Sequence, residues 1–268
     1  MKIVSTTWPW DHDKLSVKQT VEHLEALKAE EVCIRTPEYF KPYNPSWNEC
    51  LADAVQGRGI DVSIWPIVSL YDPKAMAKSI LDEVARYRPS RVILDAERRW
   101  VVNYGGNTKL FLESLGRISC PVGLASYRRA SAWPQILWQT WWTTKVGGEY
   151  VIDFNASQLY PIGWMRPASW VYQFKLDVDS HEAQHVRAGR PNISWLPFMP
   201  AFVEGLDPYG KPWYPRVEPT RAAVAYMRGR LGARLLGLNW WSLDQDMVLA
   251  GPTVAPRMEP LYEYIKSI

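Results

Sequence analysis

Cysteine is scarce in this chain of 268 residues: Cys33, Cys50 and Cys120 are odd in number and lie far apart. They form neither a disulfide framework nor a thiolate metal site, and they read as buried thiols of a reducing compartment. A dominant charge is missing as well. Lys and Arg total 31 against 28 Asp and Glu, a formal charge of +3. That excess is too small and too scattered for nucleic-acid binding, but it tolerates an anionic polymer such as a bacterial cell wall. No apolar run approaches a membrane span, and the run after Met1-Lys2 is too short for a secretion signal. No linker, low-complexity tract or charge block divides the sequence, so a single domain over residues 1–268 is expected.

Phenylalanine is the other shortage. There are 6 Phe beside 15 Trp and 14 Tyr, and hydrophobic burial alone gives no reason to prefer Trp so strongly. Trp and Tyr combine a flat apolar face with a polar edge, which suits a pyranose ring as well as a protein core.

Short β-branched apolar runs begin near Lys2, Glu31, Ile60, Ser90, Pro121, Tyr150, Ser194 and Ala233. The first six starts are 29 to 31 residues apart, and the last two intervals stretch to 44 and 39. Helix-period segments fill the gaps, among them 16–30, 44–59, 72–89 and 107–119. Ser16 is placed to cap the first, with Lys28 in its last turn. Asp72-Pro73 opens the third, Glu218-Pro219-Thr220 the seventh, and residues 256–268 close the chain. Eight such units predict an α/β fold, a single (β/α)8 TIM barrel; an open doubly wound sheet lacks its glycine-rich turn after the first strand.

Within the fourth unit, Arg91-Val92-Ile93-Leu94-Asp95-Ala96-Glu97 ends a buried-strand pattern in two carboxylates spaced i, i+2. Alternation along a strand puts Asp95 and Glu97 on one face, their backbones about 7 Å apart. Such a pair suits acid–base work on a glycosidic bond. The same pattern also describes a strand running out into a solvated acidic turn. Catalytic residues of parallel barrels gather at the carboxyl ends of the strands. In this chain those positions carry Trp8 and Trp10, Arg35, Trp65, Asp95 and Glu97, Ser126 and Tyr127, Gln158 and Tyr160, Glu204, and then Trp240, Trp241 and Asp244.

Leu94-Asp95-Ala96-Glu97, Gln158-Leu159-Tyr160 and Asn239-Trp240-Trp241 resemble the strand-four, strand-six and strand-eight motifs of barrel glycoside hydrolases acting on N-acetylated sugars. Family-25 lysozymes (muramidases) are the favoured relatives for their short loops, and family-18 chitinases the second. The resemblance implies that Glu97 protonates the leaving oxygen and then serves as base. Asp95 orients an acetamido group that attacks the anomeric carbon. It further implies that Tyr160 bonds the acetamido group and that Trp240 or Trp241 floors the sugar subsite. Trp8, Trp10, Trp65, Tyr127, Gln158, Glu204 and Asp244 complete the expected substrate-binding set. The substrate is expected to be a polysaccharide such as peptidoglycan or chitin, with no metal or organic cofactor and no nucleic-acid or membrane partner.

Two other readings stand beside this one. His181-Glu182-Ala183-Gln184-His185 matches H-E-x-x-H, the helical zinc motif of metallohydrolases. Its polar neighbours Asp177, Asp179, Ser180 and Arg187 place it on a solvated outer helix, away from the barrel mouth. The alternative is a catalytically silent barrel that binds glycan or serves as a structural part, keeping the aromatics without needing a protonated Glu97.

Overall fold

The computed structural model describes residues 2–7, 16–36, 45–96, 99–159, 167–200, 217–241 and 251–268. Strands and helices alternate: β1 (Lys2–Thr7), α1 (Val17–Ala26), β2 (Glu31–Thr36), α2 (Pro45–Gln56), β3 (Asp61–Pro66), α3 (Pro73–Tyr87), β4 (Arg91–Asp95), α4 (Arg99–Asn103), α5 (Thr108–Leu115) and β5 (Val122–Ala125). Then follow α6 (Trp138–Thr143), the antiparallel pair β6 (Lys145–Val146) and β7 (Glu149–Tyr150), β8 (Phe154–Asn155) and α7 (Pro167–Arg187). The chain continues through β9 (Ser194–Trp195), β10 (Phe198–Pro200), α8 (Val217–Leu231), β11 (Gly237–Trp241) and α9 (Gly251–Lys266).

The main sheet runs β10-β11-β1-β2-β3-β4-β5-β8-β9, and every pairing in it is parallel. Both ends of this order belong to one run of chain, 194–200. Single bridges at Gln158–Phe198 and Trp195–Leu235 tie that run to the neighbours on its two sides.

Local chemistry explains the partition. Ser16 accepts from the Gln19 amide while the Gln19 side chain accepts from the Ser16 amide, a reciprocal cap on α1. Asp72 caps α3 through the Ala75 amide, with Pro73 in the first turn. Helix α1 stops sooner than the sequence pattern predicts. Lys28 lies beyond it with φ 55°, because the chain must turn sharply into β2. The sixth strand is also corrected, since Tyr150 belongs to the short hairpin and pairing with β5 begins at Phe154. Cys33 and Cys120 are buried as expected, whereas Cys50 is exposed on α2.

Side chains alternate along the strands with period two. Val32, Ile34, Val62, Ile64, Val92, Leu94, Val122 and Leu124 pack outward with Leu24, Leu51, Met76, Ile80 and Phe111 of the helices. The other face gathers Cys33, Trp65, Ile93, Ala125, Phe154, Ala156, Leu196 and Phe198 into a second cluster. Gly123 makes room for it, because a Cβ there would overlap the ring of Phe154. Near the amino ends of the strands this inner face is polar. Glu31, fully buried, pairs with Arg91 at 3.1 Å. Burial pushes the Cys33 thiol up to about 12, and the nearby Glu31 charge acts in the same direction.

Candidate active site at the carboxyl edge of the sheet

Asp95 ends β4 on the inner face and is fully buried. Each carboxylate oxygen meets its own partner. Gln158 Nε2 donates to Oδ1 at 3.4 Å, and Arg35 Nη2 lies 3.4 Å from Oδ2. Two strands and one following segment therefore converge on one carboxylate: β2 through Arg35, β4 itself, and the segment after β8 through Gln158. Beneath them Arg35 covers the face of Trp65, 4.3 Å from its ring centroid, and Trp65 packs on Phe198 at 4.6 Å. The backbone is equally tied. The Ala96 amide donates to Ala125 O at 2.9 Å, Ser126 Oγ donates to Ala96 O at 3.0 Å, and the Gln158 amide donates to Ser126 O at 3.1 Å.

Of the residues expected at this mouth, Asp95, Trp65, Gln158 and Tyr127 are found at the carboxyl ends of their strands. Trp65 is completely covered, so it supports Arg35 from below and offers no open face to a sugar. Tyr127 is half-buried at the rim, stacked on Trp133 at 3.9 Å and 11°. Trp240 is a correction. It is fully buried on the opposite face, among Trp195, Met199, Val224, Met227, Leu261 and Ile265, because the β11 alternation turns it toward the helices. Trp241 falls on the inner register, paired with Pro200; its side chain, like Trp8, Trp10, Glu97, Tyr160, Glu204 and Asp244, lies outside the described residues.

The histidine motif is the second correction. His181 and His185 are fully buried on α7, not solvated. Both rings face the outer surface of the sheet, between the indoles of Trp138, Trp142 and Trp195. His181 Nε2 donates to the Tyr127 carbonyl at 3.0 Å, and its Nδ1 lies 3.2 Å from Ser157 Oγ. Ser157 Oγ is also 2.6 Å from Asn155 Oδ1, so its one proton serves two acceptors. His185 Nε2 accepts from Asn155 Nδ2 at 3.0 Å. Burial lowers His181 to about 4 and His185 to about 2, leaving both neutral. Glu182 turns the other way, into ion pairs with Arg230 and Arg234 at 2.8 and 2.6 Å. The histidines thus hold the backbone after β5 and the sheet edge at Asn155, an arrangement that does not fit a zinc-binding pair. Among the described residues no group of three His, Cys, Asp or Glu gathers to hold a metal.

Sequence reasoning missed two features of this edge. Trp133 gave no signal, since its role depends on a six-residue excursion returning it to Tyr127. Asp177 is the other: read as part of a solvated surface, it is instead buried on α7 and receives Arg128 Nε at 3.0 Å and Arg129 Nε at 2.9 Å, and burial still pushes its carboxyl up to about 6.

No protein-family model matches the chain, and no curated protein matches it. Solved structures do match in fold. The catalytic domain of a hyperthermophilic chitinase from Pyrococcus furiosus aligns with a TM-score of 0.64 at 11% identity, over 91% of this chain and 85% of that one. The spore cortex-lytic enzyme SleL of Bacillus cereus aligns at 0.59 and 10% identity, over 90% and 70%. A chitinase-like agglutinin from Robinia pseudoacacia aligns at 0.59 and 12% identity, over 95% and 98%. The chain therefore has a mixed α/β, parallel-sheet fold whose neighbours include glycoside hydrolases with TIM-barrel folds. At these identities the likeness establishes fold.

Proposed function

We propose that the chain is a single closed eight-stranded barrel that cleaves a glycan containing N-acetylhexosamine, with Asp95 and Glu97 as its working carboxylates. The observation that carries this reading is Asp95: a fully buried carboxylate at the carboxyl end of β4, one oxygen held by Arg35 of β2 and the other by Gln158 after β8. Burying a charge is costly unless its partners are built around it, and fixed orientation is what such partners provide. The fold shared with a chitinase and with a spore cortex-lytic enzyme supports a glycan substrate.

In this reading Glu97 gives its proton to the glycosidic oxygen as the bond to the anomeric carbon breaks. The substrate's acetamido oxygen, oriented by Asp95, forms the new bond to that carbon. Water then attacks the same carbon and returns a proton to Glu97, which restores the acetamido group and the enzyme. Trp241 and Tyr160 remain the candidate sugar contacts, and no metal or organic cofactor takes part.

The test is turnover of chitin oligomers and of peptidoglycan, run side by side. Glu97→Gln is expected to abolish cleavage while binding persists, Asp95→Asn to lower kcat strongly, and EDTA to leave the rate unchanged. Cleavage that survives Glu97→Gln but stops on chelation overturns the acid pair in favour of metal chemistry.

A second reading, glycan binding without cleavage, is favoured by one observation. The Arg35 guanidinium lies 3.4 Å from Asp95 Oδ2, so this buried carboxylate already carries a built-in counter-charge, as a purely structural pair would. The fold match to a chitinase-like agglutinin agrees with it. Wild-type protein that binds oligosaccharides and releases no product over long incubation establishes this reading over the first.

A further inference from the structure

The segment joining β5 to α6 is held from several sides. His181 pins the Tyr127 carbonyl, Arg128 and Arg129 reach Asp177, and Arg129 Nη2 donates to Gln173 Oε1 at 2.5 Å. The Ser131 amide donates to Ser180 Oγ at 2.8 Å, and Trp138 Nε1 donates to the Trp133 carbonyl at 3.0 Å. These contacts fix the stacked rings of Tyr127 and Trp133. Yet Trp133, backed by Tyr127 on one face, remains 36% exposed. A large apolar ring held rigidly in solvent gains nothing for folding from that exposure.

The stack is also continuous with the candidate site. Ser126, directly before Tyr127, bonds the carbonyl of Ala96, directly after Asp95. On its other side the segment abuts the chain after α4, where a Cβ on Gly105 would lie 3.5 Å from the Leu137 side chain. Next to Gly105, Tyr104 makes an edge contact with Tyr71, itself 61% exposed. Trp133, Leu137, Tyr104 and Tyr71 thus extend along the edge formed by the segments after β3, β4 and β5.

We propose that the Tyr127–Trp133 stack is an accessory subsite that carries a pyranose ring of a glycan whose neighbouring units pass over Asp95. The subsite rests on the glycan reading of the site and adds to it a preference for longer chains. A pyranose presents an apolar face of axial C–H groups. Laying that face on Trp133 removes apolar area from water on both partners, while the sugar's hydroxyls stay solvated at the ring's rim. His181 acts here as a positioning residue, through the Tyr127 backbone.

The experiment is isothermal titration calorimetry of the full chain with N-acetylglucosamine dimers and hexamers, and with glycan strands released from peptidoglycan. Thermal melts confirm that each variant is folded. Wild-type protein is expected to bind longer chains more tightly, and Trp133→Ala to lose about tenfold in hexamer affinity. Trp133→Phe, which keeps a flat face, is expected to restore most of that loss. Leu81→Ala, an exposed apolar position on α3, is expected to match wild type. A folded Trp133→Ala with unchanged hexamer affinity overturns the subsite alone. Wild-type protein that binds none of these glycans overturns the glycan reading and takes the subsite with it.

Discussion

Arg35 makes two contacts at once: its guanidinium lies 4.3 Å above the Trp65 ring, and its Nη2 is 3.4 Å from Asp95 Oδ2. Both charged side chains are almost wholly buried, at 5% and 0% exposure. The planar group therefore works as a lid on the apolar plug and as the counter-charge of the site. Arg35→Ala removes the counter-charge and leaves Asp95 buried without it, which should destabilise the fold by about 3–5 kcal/mol in urea denaturation. Arg35→Met combined with Asp95→Asn removes both charges and should recover much of that loss. A single variant as stable as wild type would show that the pair is incidental.

Stability should fall on acidification. Burial holds His23 and His181 at about 4 and His185 at about 2, against an ordinary 6.5. The unfolded chain takes up protons at all three as pH drops through about 6.5, while the folded chain refuses them until about pH 4. The contribution is thus fully present above the unfolded value and declines between about pH 6.5 and 4. Glu83 and Asp177 oppose it, since burial raises them to about 7 and about 6 and the folded chain keeps their protons longer. Three histidines outweigh two carboxylates, so denaturation midpoints should decrease from pH 7 to pH 4.5. A midpoint that rises over that range would count against the burial of these rings.

Glu83 gives a sharper test of the same principle. It is 8% exposed on α3, and desolvation is the main cause of its raised value, outweighing the opposing charge of nearby Arg86. At pH 8 it is ionised in both states, and the folded state bears the burial penalty. Glu83→Gln should therefore stabilise the protein at pH 8 by on the order of 1–2 kcal/mol. At pH 4, below the unfolded value of 4.5, Glu83 is protonated in both states and close in shape to Gln, so the gain should all but vanish. Equal effects at the two pH values would refute the assignment.

Gly123 is set by space alone. Adding one methyl group at this position drives it into the Phe154 ring, so Gly123→Ala should cost about 1–3 kcal/mol. Pairing it with Phe154→Leu should return part of that loss, a coupling that a double-mutant cycle measures directly. Additive effects would mean that the two positions do not compete for the same volume.

The reach of sequence reasoning can be judged from individual residues. Ser16 and Asp72 announced their helices because a cap is a local bond, and the roughly 30-residue repeat was visible because each strand carries its own apolar run. Asp95 was legible from strand alternation. Trp240 was not, since Asn239-Trp240-Trp241 is followed by no clear polar–apolar alternation to say which indole faces the helices. His181 and His185 were misplaced for a different reason. Their immediate neighbours are polar, but Phe174, Val178, His181 and His185 recur at spacings of four, three and four, one buried helical stripe. Reading histidine as a possible member of that stripe, instead of as a polar residue, would have placed both correctly. The Tyr127–Trp133 stack had no local signal, because it exists only once the intervening chain has turned back on itself.

The filling of the inner face by Phe154, Trp65 and Phe198 has a consequence for how such a protein can change over time. The polar Glu31–Arg91 end and the aromatic plug are mutually dependent, and a substitution there disturbs several strands together. Among the described residues, the segments after β3, β4 and β5 also meet one another: Asn107 donates to Leu70 O, and Gly105 lies beside Leu137. Substitutions among the exposed side chains of that edge can therefore accumulate without reopening the question of whether the chain folds, so one scaffold can carry different surfaces there.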